Sequence, residues 1–193
     1  MRKIVVSEYV TLDGVMEDPG GAEKSEHGAW SFQFSSEEAG KFKYNELVAS
    51  DALLLGRVTY EGFAKAWPSM KDDGGFADRM NSIPKYVVSS TLETVEWNNS
   101  HLIKGNIAEE VSNLKHQPGM DILVAGSADL VHTLIQHDFV DELRLMIHPI
   151  VVGGGKRLFR DGADRKVWRL VDTKTFSSGI VVLSYQPAGK ERT

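Results

Sequence analysis

Short, nearly continuous apolar runs recur along the chain, at residues 4–6, 52–55, 86–88, 122–125, 143–152 and 180–185. They are rich in valine, isoleucine and leucine. Runs of this kind predict strands buried on both faces, because a solvated face would require a polar residue at alternate positions. Between the early runs the spacing becomes helical. Ser36 stands where an N-cap would, with Glu37 and Glu38 in the first turn beside free amides, and this predicts a helix to about Val48. Residues 59–66 and 107–115 are also helical in pattern. The clearest case is 127–137, where Leu130, Val131, Leu134 and Ile135 share one face.

Strands that alternate with helices predict βαβ units, and so a mostly parallel sheet covered on both sides. The pattern changes after Phe139, where strand-like runs follow one another without a convincing helix. That predicts antiparallel C-terminal strands at the sheet edge. The expected class is therefore α/β, a mixed sheet between helical layers. Residues 20–28 and 71–75 are polar and glycine-rich and read as surface loops. One domain over residues 1–186 is expected, with 187–193 as a tail. In such sheets ligands bind beyond the C-terminal ends of the strands, where strand becomes helix.

Composition narrows the chemistry. A chain of 193 residues suits one sizeable core. Its net charge of -5 argues against nucleic acid as the main partner, since that role needs a basic surface. A small anion needs only one or two local cations. The absence of cysteine excludes disulfides, thiolate metal sites and cysteine nucleophiles, and fits a reducing, cytoplasmic address. No apolar run is long enough to span a bilayer, and the N-terminus does not read as a secretory signal. The six histidines form no metal set; His132 and His137, five apart, fall on different helix faces.

Two strand-to-helix turns stand out. In the first, Leu55 runs into Gly56-Arg57-Val58-Thr59. Gly56 permits close backbone approach, Thr59 is placed to cap the helix, and Arg57 brings a planar fork suited to phosphate. In the second, Val124 runs into Ala125-Gly126-Ser127-Ala128, where the lack of bulky side chains would let a phosphate reach the helix N-terminus. Each turn has two readings, an anion site or a simple helix start. Ser89 and Ser90 end a third strand and could donate to phosphate or ribose, or merely make a turn. The Gly153-Gly154-Gly155-Lys156 segment fails both the Walker pattern and the dinucleotide fingerprint, and reads as glycine-permitted bending near a ligand. Among the carboxylates, Asp13 sits in an Asp-Gly turn signal and Glu38 in a helix first turn; either could hydrogen-bond a substrate.

Taken in order, these pieces resemble the dihydrofolate-reductase superfamily, and most closely the branch that includes the C-terminal reductase domain of bacterial riboflavin biosynthesis. The carrying segments are Ser7-x-x-x-Thr11-Leu12-Asp13-Gly14, Leu54-Leu55-Gly56-Arg57-Val58-Thr59-Tyr60-Glu61, Val88-Ser89-Ser90, Ala125-Gly126-Ser127, and Asp141-Glu142-Leu143 leading to Pro149 and Gly153-Gly154-Gly155. The resemblance implies a dihydrofolate-reductase-like three-layer αβα fold and an NADPH site. Gly56, Arg57 and Thr59 would meet the cofactor's phosphates, with Arg57 near the 2′-phosphate. Ser89 and Ser90 would lie beside the adenosine ribose, with Lys104 adding positive charge. Ala125, Gly126, Ser127 and Ala128 would hold the pyrophosphate. Asp13, Glu38 and Gly154 would face the substrate, with Asp13 or Glu38 serving catalysis as the proton source.

The implied activity is hydride transfer from NADPH to a C=N or C=O bond of a small pteridine or aminopyrimidine, as in dihydrofolate reductase or 5-amino-6-(5-phosphoribosylamino)uracil reductase. The alternative is a catalytically silent ligand-binding protein of the same fold. The zinc deaminase domain often joined to the riboflavin enzymes is expected to be absent, since these residues leave no room for it and hold no cysteine. The expected partners are a small heterocyclic substrate and a second copy of the chain, with no nucleic acid or membrane.

Overall fold

The computed structural model describes residues 1–72 and 74–189; Asp73, in the expected 71–75 loop, and residues 190–193 of the expected tail lie outside the described residues. The elements follow as β1 (Ile4–Thr11), α1 (Glu37–Val48), β2 (Ser50–Gly56), α2 (Arg57–Ala66), α3 (Phe76–Ser82), β3 (Lys85–Val88), β4 (Ser100–Ile103), α4 (Ile107–His116), β5 (Asp121–Val124), α5 (Ala128–Gln136), β6 (Glu142–His148), β7 (Trp168–Thr175) and β8 (Val181–Pro187). Eight strands form one sheet in the order β4-β3-β2-β5-β1-β6-β8-β7. Strands β1 to β6 are all parallel, and β8 pairs antiparallel with both β6 and β7. This is the α/β class read from the sequence, with its antiparallel part at the C-terminal edge.

The unbroken apolar runs are explained by burial on two sides. Ile4 and Val6 belong to a core shared with Leu114 of α4 and with Val131 and Leu134 of α5. Val5, between them, belongs to a second core with Leu47 of α1, Tyr60 of α2 and Met80 of α3. Leu54 and Val124 likewise face the first core, while Leu53, Leu55 and Leu123 face the second. Successive side chains of a strand point to opposite faces, so both must be apolar when helices cover both.

Several boundaries differ from the expectation. The run 143–152 is a strand only to His148, because Pro149 has no N–H for a ladder. Strand β1 continues five residues past Val6, through the polar Ser7 and Glu8. Helix α2 begins at Arg57 with Gly56 as its N-cap residue, so Thr59 lies in the first turn and does not cap. Ser127 precedes α5, but its side chain makes no capping bond. Strand β8 includes Pro187, one residue into the expected tail. Helix α3, of seven residues, is too short for periodicity to announce it, and β7 shows no apolar alternation because it is an exposed edge. No helix among the described residues is long and apolar enough to cross a membrane.

Candidate active site

Strands β2 and β5 are parallel neighbours, paired from Leu53 with Leu123 to Leu54 with Val124. Both therefore end at the same edge of the sheet and turn into helices side by side. The two turns are locked together: the Gly56 N–H donates to the Gly126 carbonyl at 3.0 Å. Neither glycine tolerates a side chain. A Cβ on Gly56 would overlap the Ser127 hydroxyl, and one on Gly126, whose φ is +97°, would come within 2.6 Å of Thr59 Oγ1. The Gly126–Ser127 peptide is cis.

The helices that start here differ from the rest. Ser36 accepts from the Ala39 N–H at the start of α1, Asn106 from the Ala108 and Glu109 N–H groups of α4, and Asp72 from the Ala77 N–H of α3. Helices α2 and α5 have no such side-chain acceptor. Two adjacent helix N-termini thus offer first-turn amides to the same space, an arrangement suited to an anion.

That space is the end of a cavity of about 500 Å³ whose lining includes Thr59 and residues 125–128. It continues over the part of β1 that outlasts its neighbour. The ladder with β5 stops at Val6 and Val124, while the ladder with β6 runs on to Thr11 and His148. Ser7, Glu8 and Tyr9 are therefore left to form the cavity floor. Aromatic rings wall it: Tyr9, Phe34, Phe63, Trp67 and His148. His148 is buried, with Nδ1 2.9 Å from the Met146 carbonyl and its ring against Tyr9 and Trp30, and burial holds the imidazole below its ordinary pKa.

Beneath the cavity lies a buried charge set. Lys43 of α1 donates to Ser7 Oγ at 2.9 Å and pairs with Glu46 at 2.7 Å. Arg144 of β6 reaches Glu46 at 3.0 Å and Glu142 at 2.7 Å. Burial would raise Glu46, but Lys43 and Arg144 outweigh it and hold the carboxyl below its usual value. Glu8 stands apart. Only 5% exposed, it has no cation of its own, and burial pushes its pKa up to about 8 against the partial opposition of Lys43 and the Gly126 N–H. Its Oε1 is buried without a hydrogen-bond partner.

The expected site residues divide into three groups. Gly56, Thr59, Ala125, Gly126, Ser127 and Ala128 come together at the two interlocked turns. Arg57, Ser90 and Lys104 stand on an open shelf outside the cavity, with Ser89 buried at its edge. The pairing of Gly56 with Val88 sets Arg57 beside Ser89, and the Ser89 N–H donates to the Ile103 carbonyl, next to Lys104. Arg57 is half-exposed and ion-paired with Glu61 at 2.9 Å; Ser89 Oγ accepts from the Thr91 and Leu92 N–H groups, while Ser90 is exposed.

The third group does not reach the cavity. Asp13 accepts from the Thr11 hydroxyl at 2.5 Å and from the Gly153 and Val152 N–H groups at 2.9 and 3.3 Å, which pull its pKa down to about 2. It clips two loops together. Glu38 lies on the outer side of α1, accepting from the Ser177 hydroxyl and N–H at 2.5 and 2.8 Å, which lower its pKa. Asp13 and Glu38, the two expected proton sources, thus both lie outside the cavity lining, and each accepts from donors that favour its ionised form. Gly154 is also outside it, where a Cβ would come within 3.0 Å of the His27 ring. The residues missed from the sequence are Glu8, Lys43, Glu46 and His148. The available signal was the polar pair Ser7 and Glu8 directly after the apolar run 4–6.

The mostly parallel sheet, with helices on both faces, is that of the dihydrofolate-reductase-like fold. The chain belongs to the RibD C-terminal domain family, whose model matches residues 2–182. It is 35% identical over 187 residues to YyaP of Bacillus subtilis, an uncharacterized protein, covering 95% of this chain and 94% of that one. A Shewanella sp. PV-4 protein provisionally described as a riboflavin biosynthesis protein superposes with a TM-score of 0.75 at 19% identity, over 97% and 99% of the two chains. The dihydrofolate reductase of Enterococcus faecalis, complexed with NADP(H), superposes with a TM-score of 0.62 at 15% identity, over 96% of each chain.

Proposed function

We propose that the protein is an NADPH-dependent reductase acting on a small planar heterocycle of pteridine or aminopyrimidine type. The observation that carries the proposal is the pair of uncapped helix N-termini interlocked at Gly56 and Gly126 and opening onto an aromatic cavity. The residues fit the cofactor. The glycine cradle leaves room where a side chain would stand, and the first-turn amides of α2 and α5 would take the pyrophosphate. The one acid in the α5 first turn, Asp129, is already paired with Arg160. Arg57, Ser89, Ser90 and Lys104 would receive the adenosine end, and Arg57 the 2′-phosphate. Swinging Arg57 away from Glu61 costs little, since an exposed pair one helical turn apart contributes only about 0.3–0.5 kcal/mol.

When bound, NADPH supplies a hydride; the protein orients the partners and excludes water. The cavity volume lies within the range of small-molecule sites. Its rings suit a flat substrate, and a nearby dihydrofolate reductase fold supports the heterocycle class. A homodimer is part of the proposal, supported by the edge strand β7, where Leu170 and Val171 are exposed beside Val167.

Titration with NADPH, followed by nicotinamide fluorescence, tests the proposal, and light scattering of the same sample reads the dimer. Saturable binding below millimolar cofactor is expected. No binding at that level would overturn the cofactor assignment, and binding without turnover on any pteridine or aminopyrimidine would favour a silent ligand-binding protein.

A further inference from the structure

We propose that Glu8 is the catalytic acid, delivering the proton that completes reduction of the substrate's C=N or C=O bond. The proposal rests on the reductase assignment above and names the group that assignment leaves open. Addition of hydride to carbon leaves the former π pair on nitrogen or oxygen. There an N–H or O–H bond must form as the O–H bond of a donor breaks. A carboxylic acid on the cavity floor can do this once, leaving its carboxylate to be reprotonated from solvent through the cavity mouth.

Geometry singles out Glu8. It lies on the overhang of β1, two residues past the last pair with β5, and lines the cavity beside Gly126. It is nine-tenths buried, and its Oε1 has no hydrogen-bond partner among the described residues. The charges packed around it are already matched. Lys43 and Arg144 supply two positive charges, and Glu46 and Glu142 supply two negative ones, each in direct ion pairs. Glu8 is the odd carboxyl in that set, so ionising it would put an unbalanced charge in a buried place. His148, held neutral by burial, brings no compensating cation. Lys43, Lys156, Glu17, Asp18, Glu23 and Asp129 line the same cavity; of the charged groups around Glu8, Lys43 favours its ionisation and Glu46 opposes it. The carboxyl therefore keeps its proton up to about pH 8, which is the state an acid catalyst needs at neutral pH.

The test compares the wild-type protein with Glu8→Gln, a neutral isostere expected to fold, and Glu8→Asp, which keeps the acid but withdraws it by one methylene. Three measurements are made. The first is unfolding in urea between pH 5.5 and 7.5. There the folded carboxyl holds a proton that the unfolded one releases, so unfolding becomes easier as pH rises, by up to about tenfold in the equilibrium constant per pH unit. Glu8→Gln should lose that slope, and an identical slope in both proteins overturns the proposal. The second is NADPH titration, expected to be unchanged in Glu8→Gln. Absent binding in the wild type instead overturns the cofactor assignment, and with it this proposal. The third is turnover of 7,8-dihydrofolate with NADPH. Glu8→Gln should fall by about 100-fold or more, Glu8→Asp should fall as well while keeping its pH slope, and the wild-type rate should decline above about pH 8. Undiminished turnover in Glu8→Gln overturns the assignment of Glu8 alone; no wild-type turnover counts against the heterocycle class and removes the step that Glu8 would serve.

Discussion

Where β1 and β6 run past their neighbour, the C-terminal edge of the sheet is roofed by aromatic rings, and its charges are buried and mutually paired. Where β2, β3 and β4 end, the same edge is an open shelf whose charges stand in water. Glu46 is 2% exposed and held by two cations, whereas Arg57 and Glu61 are 44% and 41% exposed and hold only each other. The difference teaches what each end can do. A buried set fixes geometry and protonation, because any change in charge there lacks water to compensate it. An exposed pair is exchangeable at small cost and can trade its partner for a ligand.

The largest effect is expected from breaking the buried end. Glu46→Leu would leave Lys43 without its counterion and Arg144 with Glu142 alone. It should destabilise the fold by about 3–5 kcal/mol, the scale of leaving buried charge uncompensated, measured by urea unfolding at neutral pH. A loss under about 1 kcal/mol would show that water reaches this set and that the two ends are electrically alike.

The shelf should respond in affinity instead of stability. Arg57→Ala is expected to weaken NADPH by about 1.5–3 kcal/mol, the value of one charged hydrogen bond, while leaving NADH nearly untouched. The lost Glu61 pair should hardly register in unfolding. Equal weakening of both cofactors, read by nicotinamide fluorescence, would show that Arg57 does not contact the 2′-phosphate.

The same contrast explains what the sequence made legible. The two strand-to-helix turns are local: strand, glycine and helix follow within a few residues, and the convergence of Gly56 with Gly126 follows once both strands are known to be parallel neighbours. The shelf is legible for the same reason, since Arg57, Ser89 and Lys104 each directly follow a strand. The enclosed end is not local. Glu46 meets Ser7 across 39 residues and Arg144 across 98, and no spacing rule encodes those meetings. The apolar run also stopped at Val6, which hid Glu8 just beyond it. Strand β7 escaped notice because an edge that is wet on nearly every residue carries no periodic signal.

The smallest effect sharpens the comparison within a single stretch of chain. Glu8 and Asp13 are five residues apart, yet one carboxyl is raised to about 8 by burial and the other lowered to about 2 by the Thr11 hydroxyl and two backbone amides. Environment alone separates an acid that keeps its proton from a clip that stays ionised. Asp13→Asn should therefore leave NADPH affinity at neutral pH within about twofold, the scale of a surface substitution. Its cost to stability should be present at neutral pH and vanish in acid. A carboxyl whose folded pKa lies below its unfolded value of 3.8 stabilises the fold above that value and loses the advantage as pH falls toward 2. Unfolding curves of the two proteins should thus converge between about pH 4 and 2. If instead Asp13→Asn abolished turnover at neutral pH without loosening the 152–153 loop, the proton source would belong to the clip and not to the cavity floor.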